Sequence, residues 1–199
     1  GLGDVYKRQV SVDGITHALN KNFFVIATQN PLDSEGTYPL PEAENDRFAM
    51  MLSLGYLNEN DELDIILGRY KPVEDLKPIF NEDEWIKIKH EASSIEVPES
   101  VARDVIRLIN ETRNNEKIIN GASVRGGIAL INIAKALAYI RGDEKVYPDH
   151  IYDIAVDVLA HRIKIRSEEY YSGETPEKII QDIIDKIAPN SVKKEKNKS

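Results

Sequence analysis

Apolar residues at helical spacing dominate the second half of the chain. After Pro98, Val101, Val105 and Leu108 recur every three to four residues. A longer stripe follows Pro148, made of Ile151, Ile154, Ala155, Val158, Leu159 and Ile163. This periodicity indicates amphipathic helices that each bury one face. The second half of the chain is therefore predicted to be a small helical bundle.

Capping residues and prolines mark the starts and ends of these helices. The predicted starts are Asn81, Pro98, Ser123, Pro148 and Pro176. The first helix is predicted to run through His90, the third to end before Gly142, and the last to cover residues 176–187. The remaining residues, SVKKEKNKS, are predicted to be a solvated, disordered tail.

Shorter apolar runs predict strands in the first 70 residues. The pair Asp13-Gly14 lies between two β-prone runs, which is a strong hairpin signal because both residues tolerate positive φ. The continuous apolar run FFVIA, residues 23–27, predicts a central strand that is covered on both faces. Residues 52–57 are a second candidate strand.

Two helices are predicted beside these strands. One begins at Pro41 and runs to about Ser53. The other is capped by Asn58, covers residues 59–69, and is predicted to bury Leu63, Ile66 and Leu67. The Pro-containing stretch at residues 72–78 then predicts a boundary between this α/β part and the bundle.

Composition and charge narrow the class of protein. Of the 199 residues, 41% are apolar and 30% are charged, and the net charge is -8. No apolar run approaches the length that spans a bilayer, and the negative charge argues against a general nucleic-acid-binding surface. The absence of cysteine fits a reducing compartment. We therefore expect a cytoplasmic protein with no membrane insertion and no nucleic-acid partner.

The first eight residues are predicted not to be native. Residues 4–9 read DVYKRQ, which resembles an in-frame translation of a transposase adapter used in sequencing libraries. The alternative is that Val5 and Tyr6 open a strand. The adapter interpretation implies that the true N-terminal part of the protein is missing from this sequence.

Asn30 and Arg47 are the first candidates for chemistry. Asn30 ends the polar triplet that follows the predicted strand, and ligands of α/β sheets bind at the carboxyl ends of strands. The alternative is that Asn30 and Pro31 only begin a turn. Arg47 offers a permanently charged guanidinium that suits a phosphate, and the alternative is a solvated arginine paired with Asp46 or Glu44.

Arg125 lies in the first turn of its predicted helix, two residues after Ser123. A cation there opposes the helix dipole, whereas a helix N-terminus reinforced by an arginine suits an incoming anion. Tight packing of Gly126 and Gly127 is the alternative explanation of this pattern.

Other kinds of site are not indicated by the sequence. The four histidines show no metal-ligand spacing, and no Ser-His-Asp or Cys-His arrangement is visible. The printed sequence contains no GxxxxGK[ST] phosphate loop, and no apolar strand ending in Asp-Glu precedes Phe23. We expect no metal ligand among these residues, and we expect that this chain alone does not hold Mg-ATP.

Four segments together resemble the MoxR family of AAA+ ATPases. QVSVDGITHAL resembles the hairpin before the sensor-1 strand, and FFVIATQNPLDSEGTYPLPEAENDRF resembles the block of sensor 1 and the arginine finger. GASVRGGIALINIAKALAYIRG resembles the sensor-2 helix of the lid, and VYPDHIYDIAVDVLAHRI resembles its closing helix. The resemblance covers residues 9–187.

This resemblance implies an α/β fold, namely the C-terminal part of an AAA+ P-loop NTPase core followed by an all-α helical lid. The implied domains are non-native residues 1–8, the core part 9–70 with hairpin, sensor 1 and arginine finger, the lid 71–165 with sensor 2, and a C-terminal helix and tail 166–199.

The resemblance also implies roles for three residues. Asn30 would be sensor 1, which places the attacking water, and Arg47 would be the arginine finger, which reaches the ATP site of a neighbouring subunit. Arg125 would be sensor 2. ATP and Mg2+ would be bound mainly by Walker A and B motifs upstream of Gly1. Two departures from the family pattern are Asn45, where Leu is usual, and Val124, where Pro is usual.

The implied function is an ATP hydrolase that forms a homo-oligomeric ring, commonly hexameric, and remodels or activates client proteins in a chaperone-like way. A protein with a von Willebrand A domain is the expected partner, and the fragment alone is expected to be inactive. The alternatives are a magnesium-chelatase-type AAA+ subunit and a non-catalytic interaction module that keeps the lid bundle.

Overall fold

The structure is a computed structural model that describes residues 9–12, 14–20, 22–29, 40–69 and 77–188. In chain order the strands and helices are β1 Gln9–Val12, β2 Ile15–Ala18, α1 Glu42–Asn45, α2 Glu59–Ile66, α3 Glu82–Ser94, α4 Glu99–Asn114, β3 Ile118–Asn120, α5 Val124–Arg141, α6 Pro148–Leu159, a 3-10 helix Ala160–Arg162, β4 Lys164–Ile165, α7 Ser167–Tyr171 and α8 Pro176–Ile187. The predicted adapter residues 1–8, Asn30 and the tail after residue 188 lie outside these ranges.

The bundle predicted for the second half is confirmed. Helix α5 packs against α3, α4 and α6, and α8 packs against α4 and α6. The core is formed by the predicted apolar stripes of α4 and α6, together with small residues of α5 such as Ala134 and Ala138. These small side chains allow neighbouring helices to approach closely. Helix α8 buries Ile179, Ile180, Ile183 and Ile184 in the same core.

Local capping signals set the starts of α3 and α5 and the end of α5 as the sequence predicts. The Ser123 hydroxyl accepts a hydrogen bond from the Arg125 N–H, and α5 ends at Gly142, whose φ of 78° is left-handed. Asn81 and Glu84 form a reciprocal capping box on α3, which continues four residues beyond the predicted end, to Ser94. The short antiparallel pair of β3 and β4, in which Ile118 faces Ile165, was not predicted.

The hairpin of β1 and β2 is also confirmed. Gln9 pairs with Ala18 and Val12 pairs with Ile15 in antiparallel register. Gly14 has φ of 81° in the turn, a conformation that glycine adopts without steric cost.

The strands predicted at residues 23–27 and 52–57 are wrong for this structure. Residues 23–29 and 50–58 have no regular secondary structure, Phe24 is 80% exposed and Leu54 is fully exposed. A strand forms only where a neighbouring strand completes its hydrogen bonds, and no described residue pairs with either segment. The apolar pattern alone therefore does not produce the element.

Helices α1 and α2 also differ from their predictions. Helix α1 ends at Asn45 rather than near Ser53, because the following residues turn to dock on the bundle. Helix α2 is capped by Asn58 as predicted, but it ends at Ile66 and none of its residues is buried. The predicted inner face of α2, made of Leu63, Ile66 and Leu67, is exposed.

Candidate functional site

Arg162 joins the end of α1 to the helical bundle. Its side chain is only 2% exposed, and its Nε donates to Asp46 Oδ1 at 3.1 Å. Its Nη2 donates to the carbonyl oxygens of Asp46, at 3.2 Å, and of Phe48. Its Nη1 donates to the carbonyls of Val158, at 2.7 Å, and of Ala49, at 3.3 Å. One buried guanidinium therefore satisfies a carboxylate and four backbone carbonyls.

The position of Arg162 follows from the helix before it. Helix α6 ends at Leu159, and the 3-10 helix then turns Arg162 toward the residues after α1. Burial lowers the pKa of Arg162, and the Asp46 carboxylate acts in the opposite direction. Arginine stays protonated in proteins even when its pKa falls. Arg162 therefore places a permanent positive charge between residues 46–49 and the end of α6. We call this contact region the junction.

Asp46 is shared between two arginines. Its Oδ1 contacts Arg162, and its Oδ2 lies 3.5 Å from Arg125 Nη1. Asp46 is 26% exposed, whereas the Arg125 side chain is 53% exposed. The structure thus brings the candidate Arg125 within contact distance of the residue that directly precedes the candidate Arg47.

Arg47 lies in the turn after α1, and its side chain is exposed. Its backbone N–H donates to the Glu44 carbonyl at 3.1 Å. Among the described residues, its guanidinium has neither a hydrogen-bond nor an ion-pair partner. The alternative in which Arg47 pairs with Asp46 or Glu44 is not observed, because the Asp46 carboxylate is taken by Arg125 and Arg162.

Three further contacts hold α1 and the segment after it against the bundle. Glu42 pairs with Lys164 at 2.6 Å, which lowers the pKa of Glu42. The Met51 N–H donates to the Asp157 carbonyl at 2.9 Å. His161 Nε2 lies 3.3 Å from the Phe48 carbonyl, which accepts from the ring when Nε2 carries a proton, and burial lowers the pKa of His161.

Gly126 and Gly127 are explained by packing. A Cβ on Gly127 would lie 2.6 Å from Ile109 Cδ1, and a Cβ on Gly126 would lie 3.1 Å from a methyl group of Leu159. Both glycines are buried where α5 meets α4 and the end of α6. These close approaches support the packing alternative raised from the sequence.

Asn30 lies outside the described residues, and its role stays a prediction. Thr28 and Gln29, which precede it, are exposed. No cluster of three or more His, Cys, Asp or Glu residues suited to a metal ion occurs within the described ranges. None of the described helices is long and apolar enough to cross a membrane.

Sequence reasoning missed Arg162 and the pairing of Asp46. The one available signal was a basic residue set between Leu159 and Ile163, two members of the apolar stripe. A charged residue at such a position is expected to need a buried partner. The partner lies 116 positions away in the chain, and spacing does not identify it.

Comparisons with known proteins agree with this architecture. The model of the ATPase family associated with various cellular activities (AAA) matches residues 2–50, and that of the AAA lid domain matches residues 110–183. The chain is 37% identical over 180 residues to the uncharacterized protein YeaC of Bacillus subtilis, covering 89% of this chain and 56% of YeaC. It is 30% identical over 191 residues to the chaperone MoxR1 of Mycobacterium tuberculosis, covering 92% of this chain and 51% of MoxR1.

A solved structure shares the fold. A crystal structure from Cytophaga hutchinsonii, provisionally assigned as an ATPase, aligns with a TM-score of 0.82 and 32% identity, covering 94% of this chain and 60% of the other. The chain spans just over half the length of the two curated relatives. The fold class predicted from the sequence, part of an AAA+ core followed by a helical lid, is thereby confirmed. The chain belongs to the AAA+ ATPases and, within them, to the MoxR-like family.

Proposed function

We propose that this chain is the C-terminal part of an ATP-hydrolysing subunit that works in a homo-oligomeric ring and remodels or activates client proteins. The observation that carries the proposal is the junction at Arg162. It fixes the turn that carries Arg47 to the lid while the Arg47 guanidinium stays exposed. An exposed guanidinium on a fixed turn suits a group that acts on a neighbouring subunit.

Three residues receive roles in this proposal. Arg47 is the arginine finger, which stabilises the charge that develops on the transferred phosphoryl group in the adjacent subunit. Arg125 is sensor 2, which contacts the phosphates bound by its own subunit, and Asn30 is sensor 1, which orients the attacking water. Support for the assignment of Arg125 comes from its half-exposed guanidinium and from its single described ion pair, the 3.5 Å contact to Asp46.

ATP and Mg2+ are the proposed cofactors. Bound Mg2+ neutralises phosphate charge during phosphoryl transfer. The described residues offer no cluster of metal ligands, and Arg125 is the residue of this chain that we propose binds and orients the phosphate oxygens. We assign the Walker A and B motifs, which bind Mg-ATP, to the remaining part of the full-length protein.

The location, the oligomeric state and the partner are also part of the proposal. A cytoplasmic ring, most simply a hexamer, would work with a partner that carries a von Willebrand A domain. The relative MoxR1, which is named a chaperone, supports the assignment of client remodelling.

Substitution of Arg47 in the full-length protein tests the assignment. Arg47→Ala should leave ATP binding by the same subunit largely unchanged, while turnover falls about a thousandfold or more, as is typical of arginine fingers. Arg47→Lys should restore little, because an ammonium does not reproduce the planar guanidinium. Arg103→Ala is the matched control, since Arg103 is an exposed arginine on α4 that pairs with Glu99.

Mixed rings separate a finger that acts across subunits from other roles. Arg47→Ala supplies working ATP sites, and a second variant disabled in its phosphate loop supplies working fingers. Mixed rings should regain part of the turnover that neither variant shows alone. If mixed rings form and regain nothing, or if Arg47→Ala turns over normally, Arg47 is a surface arginine. A full-length protein that binds ATP without turnover would favour the interaction-module alternative.

A further inference from the structure

Asp46 makes two ion pairs of different character. Its contact with Arg162 is buried, and four carbonyl hydrogen bonds hold the same guanidinium in place. Its contact with Arg125 is longer, at 3.5 Å, and involves a half-exposed side chain. The first contact is therefore fixed by the fold, whereas the second is free to exchange.

A phosphate group is a stronger partner for Arg125 than Asp46 is in this geometry. Charge-assisted N–H···O bonds are usually 2.7–2.9 Å long, and the Asp46 contact exceeds that distance. Exposed ion pairs contribute little stability, whereas arginine binds phosphate through two parallel hydrogen bonds. A nucleotide phosphate that reaches Arg125 would consequently displace the Asp46 carboxylate.

The Asp46 carboxylate is also close to Arg47 along the chain. Helix α1 has four residues, and its last turn is closed by hydrogen bonds from Asp46 N–H to the Glu42 carbonyl and from Arg47 N–H to the Glu44 carbonyl. A helix this short is not stable by itself, so its orientation depends on the contacts of its side chains. A change in the partners of Asp46 therefore acts directly on the turn that carries Arg47.

We propose that Asp46 is a positioning residue that competes with the ATP phosphates for Arg125 and thereby couples the occupancy of one subunit's ATP site to its own arginine finger, Arg47. The inference rests on the proposed function, which assigns ATP phosphates to Arg125. It adds a link within one subunit between the group that senses nucleotide and the group that acts on the next subunit.

Asp46→Asn in the full-length protein tests the competition. The amide removes the negative charge and leaves Arg125 free, so a non-hydrolysable ATP analogue should bind about twofold to fivefold more tightly, the range expected for losing one exposed ion pair. A residue that only maintains structure would weaken binding when substituted. Glu42→Gln is the matched control, because Glu42 lies on the helix that Asp46 caps and pairs with Lys164, and no ion pair joins it to Arg125.

A double variant identifies Arg125 as the group involved. Asp46→Asn should have no effect on the affinity for the analogue when Arg125 is already alanine. Equal tightening in both backgrounds, or no tightening in either, would overturn the inference. The fold should survive Asp46→Asn, because the amide oxygen still accepts from Arg162 Nε and the four carbonyl bonds do not involve the Asp46 side chain.

Hydrogen exchange gives a second test that leaves Asp46 intact. Saturating analogue should change amide exchange in residues 42–49 of the otherwise unaltered protein, and Arg125→Ala should abolish that change at equal saturation. The same change in both proteins would refute the coupling while leaving the proposed function standing. If Arg125→Ala does not weaken binding of the analogue at all, the proposed role of Arg125 fails, and the coupling fails with it.

Discussion

Removal of the Arg162 guanidinium should release the segment after α1 from the lid. Arg162→Met keeps an apolar side chain of similar length in the buried space, but it removes the donors that serve Asp46 and four carbonyls. Breaking a buried ion pair by deleting one partner typically costs about 3–5 kcal/mol. Asp46 keeps some solvent access and its contact with Arg125, so we expect a smaller cost, about 2–4 kcal/mol.

The Met51 amide reports this cost directly. Its N–H donates to the Asp157 carbonyl across the junction, so the amide exchanges with solvent only when the segment undocks. A loss of about 2–4 kcal/mol corresponds to exchange that is roughly 30-fold to 700-fold faster at this amide. The lid itself should keep its protection, because its core does not include residues 42–49.

Arg141→Met is the matched control for this measurement. Arg141 pairs with Asp153 at 2.8 Å between α5 and α6, so its loss removes an arginine from the lid without touching the junction. Exchange at Met51 should not change in this variant. If Arg162→Met also leaves Met51 protected, the segment is held by apolar contact through Met50, which packs against the core, and the reasoning from hydrogen bonds is refuted.

Three other outcomes are expected from the same structure. Burial lowers the pKa of His161 from its ordinary value of 6.5, so the unfolded chain takes up the proton first and the contribution of His161 to the free energy of unfolding should fall as the pH drops below 6.5. In denaturation measured at several pH values, His161→Gln should remove this contribution, whereas His90→Gln, at an exposed site, should leave it in place. Amide exchange should be slower in residues 101–163 than in residues 23–28, and the opposite order would mean that residues 23–28 are paired in solution. The 199-residue chain alone should not hydrolyse ATP, and turnover that is lost on substituting Arg47 within it would contradict this expectation.

The helices were predictable because their signals are local. Ser123 and Asn81 cap their helices through residues within three positions, and the stripe of α6 is visible as a period in the sequence. The strand expected at residues 23–27 depends on partners that no local pattern supplies, which is why an apolar run gave the wrong secondary structure here. Sequence periodicity identifies the apolar residues that are expected to be buried, but it does not identify the residues that pack over them.

The junction was not predictable for the same reason. Arg162 and Asp46 are far apart in the chain, and each is unremarkable on its own. In the sequence, the two glycines after Arg125 fit an anion-binding site and close helix packing equally well. The short distances from a Cβ at these positions to Ile109 and Leu159 favour packing. The sequence identified Arg47 and Arg125 as candidates and the resemblance gave them roles, whereas the contacts of Asp46 with Arg125 and Arg162 were found only through the geometry.

The shortness of α1 gives the junction its significance. Four helical residues do not hold an orientation unaided, so the direction of Arg47 must be set by tertiary contacts. On one side, those contacts involve Glu42, Asp46 and the residues up to Met51. On the other side they involve Arg125 and residues 157–164, which belong to the lid. Under the proposed function, the finger is consequently positioned by the lid of its own subunit, and any lid movement that follows nucleotide binding is passed to Arg47 without an intermediate element.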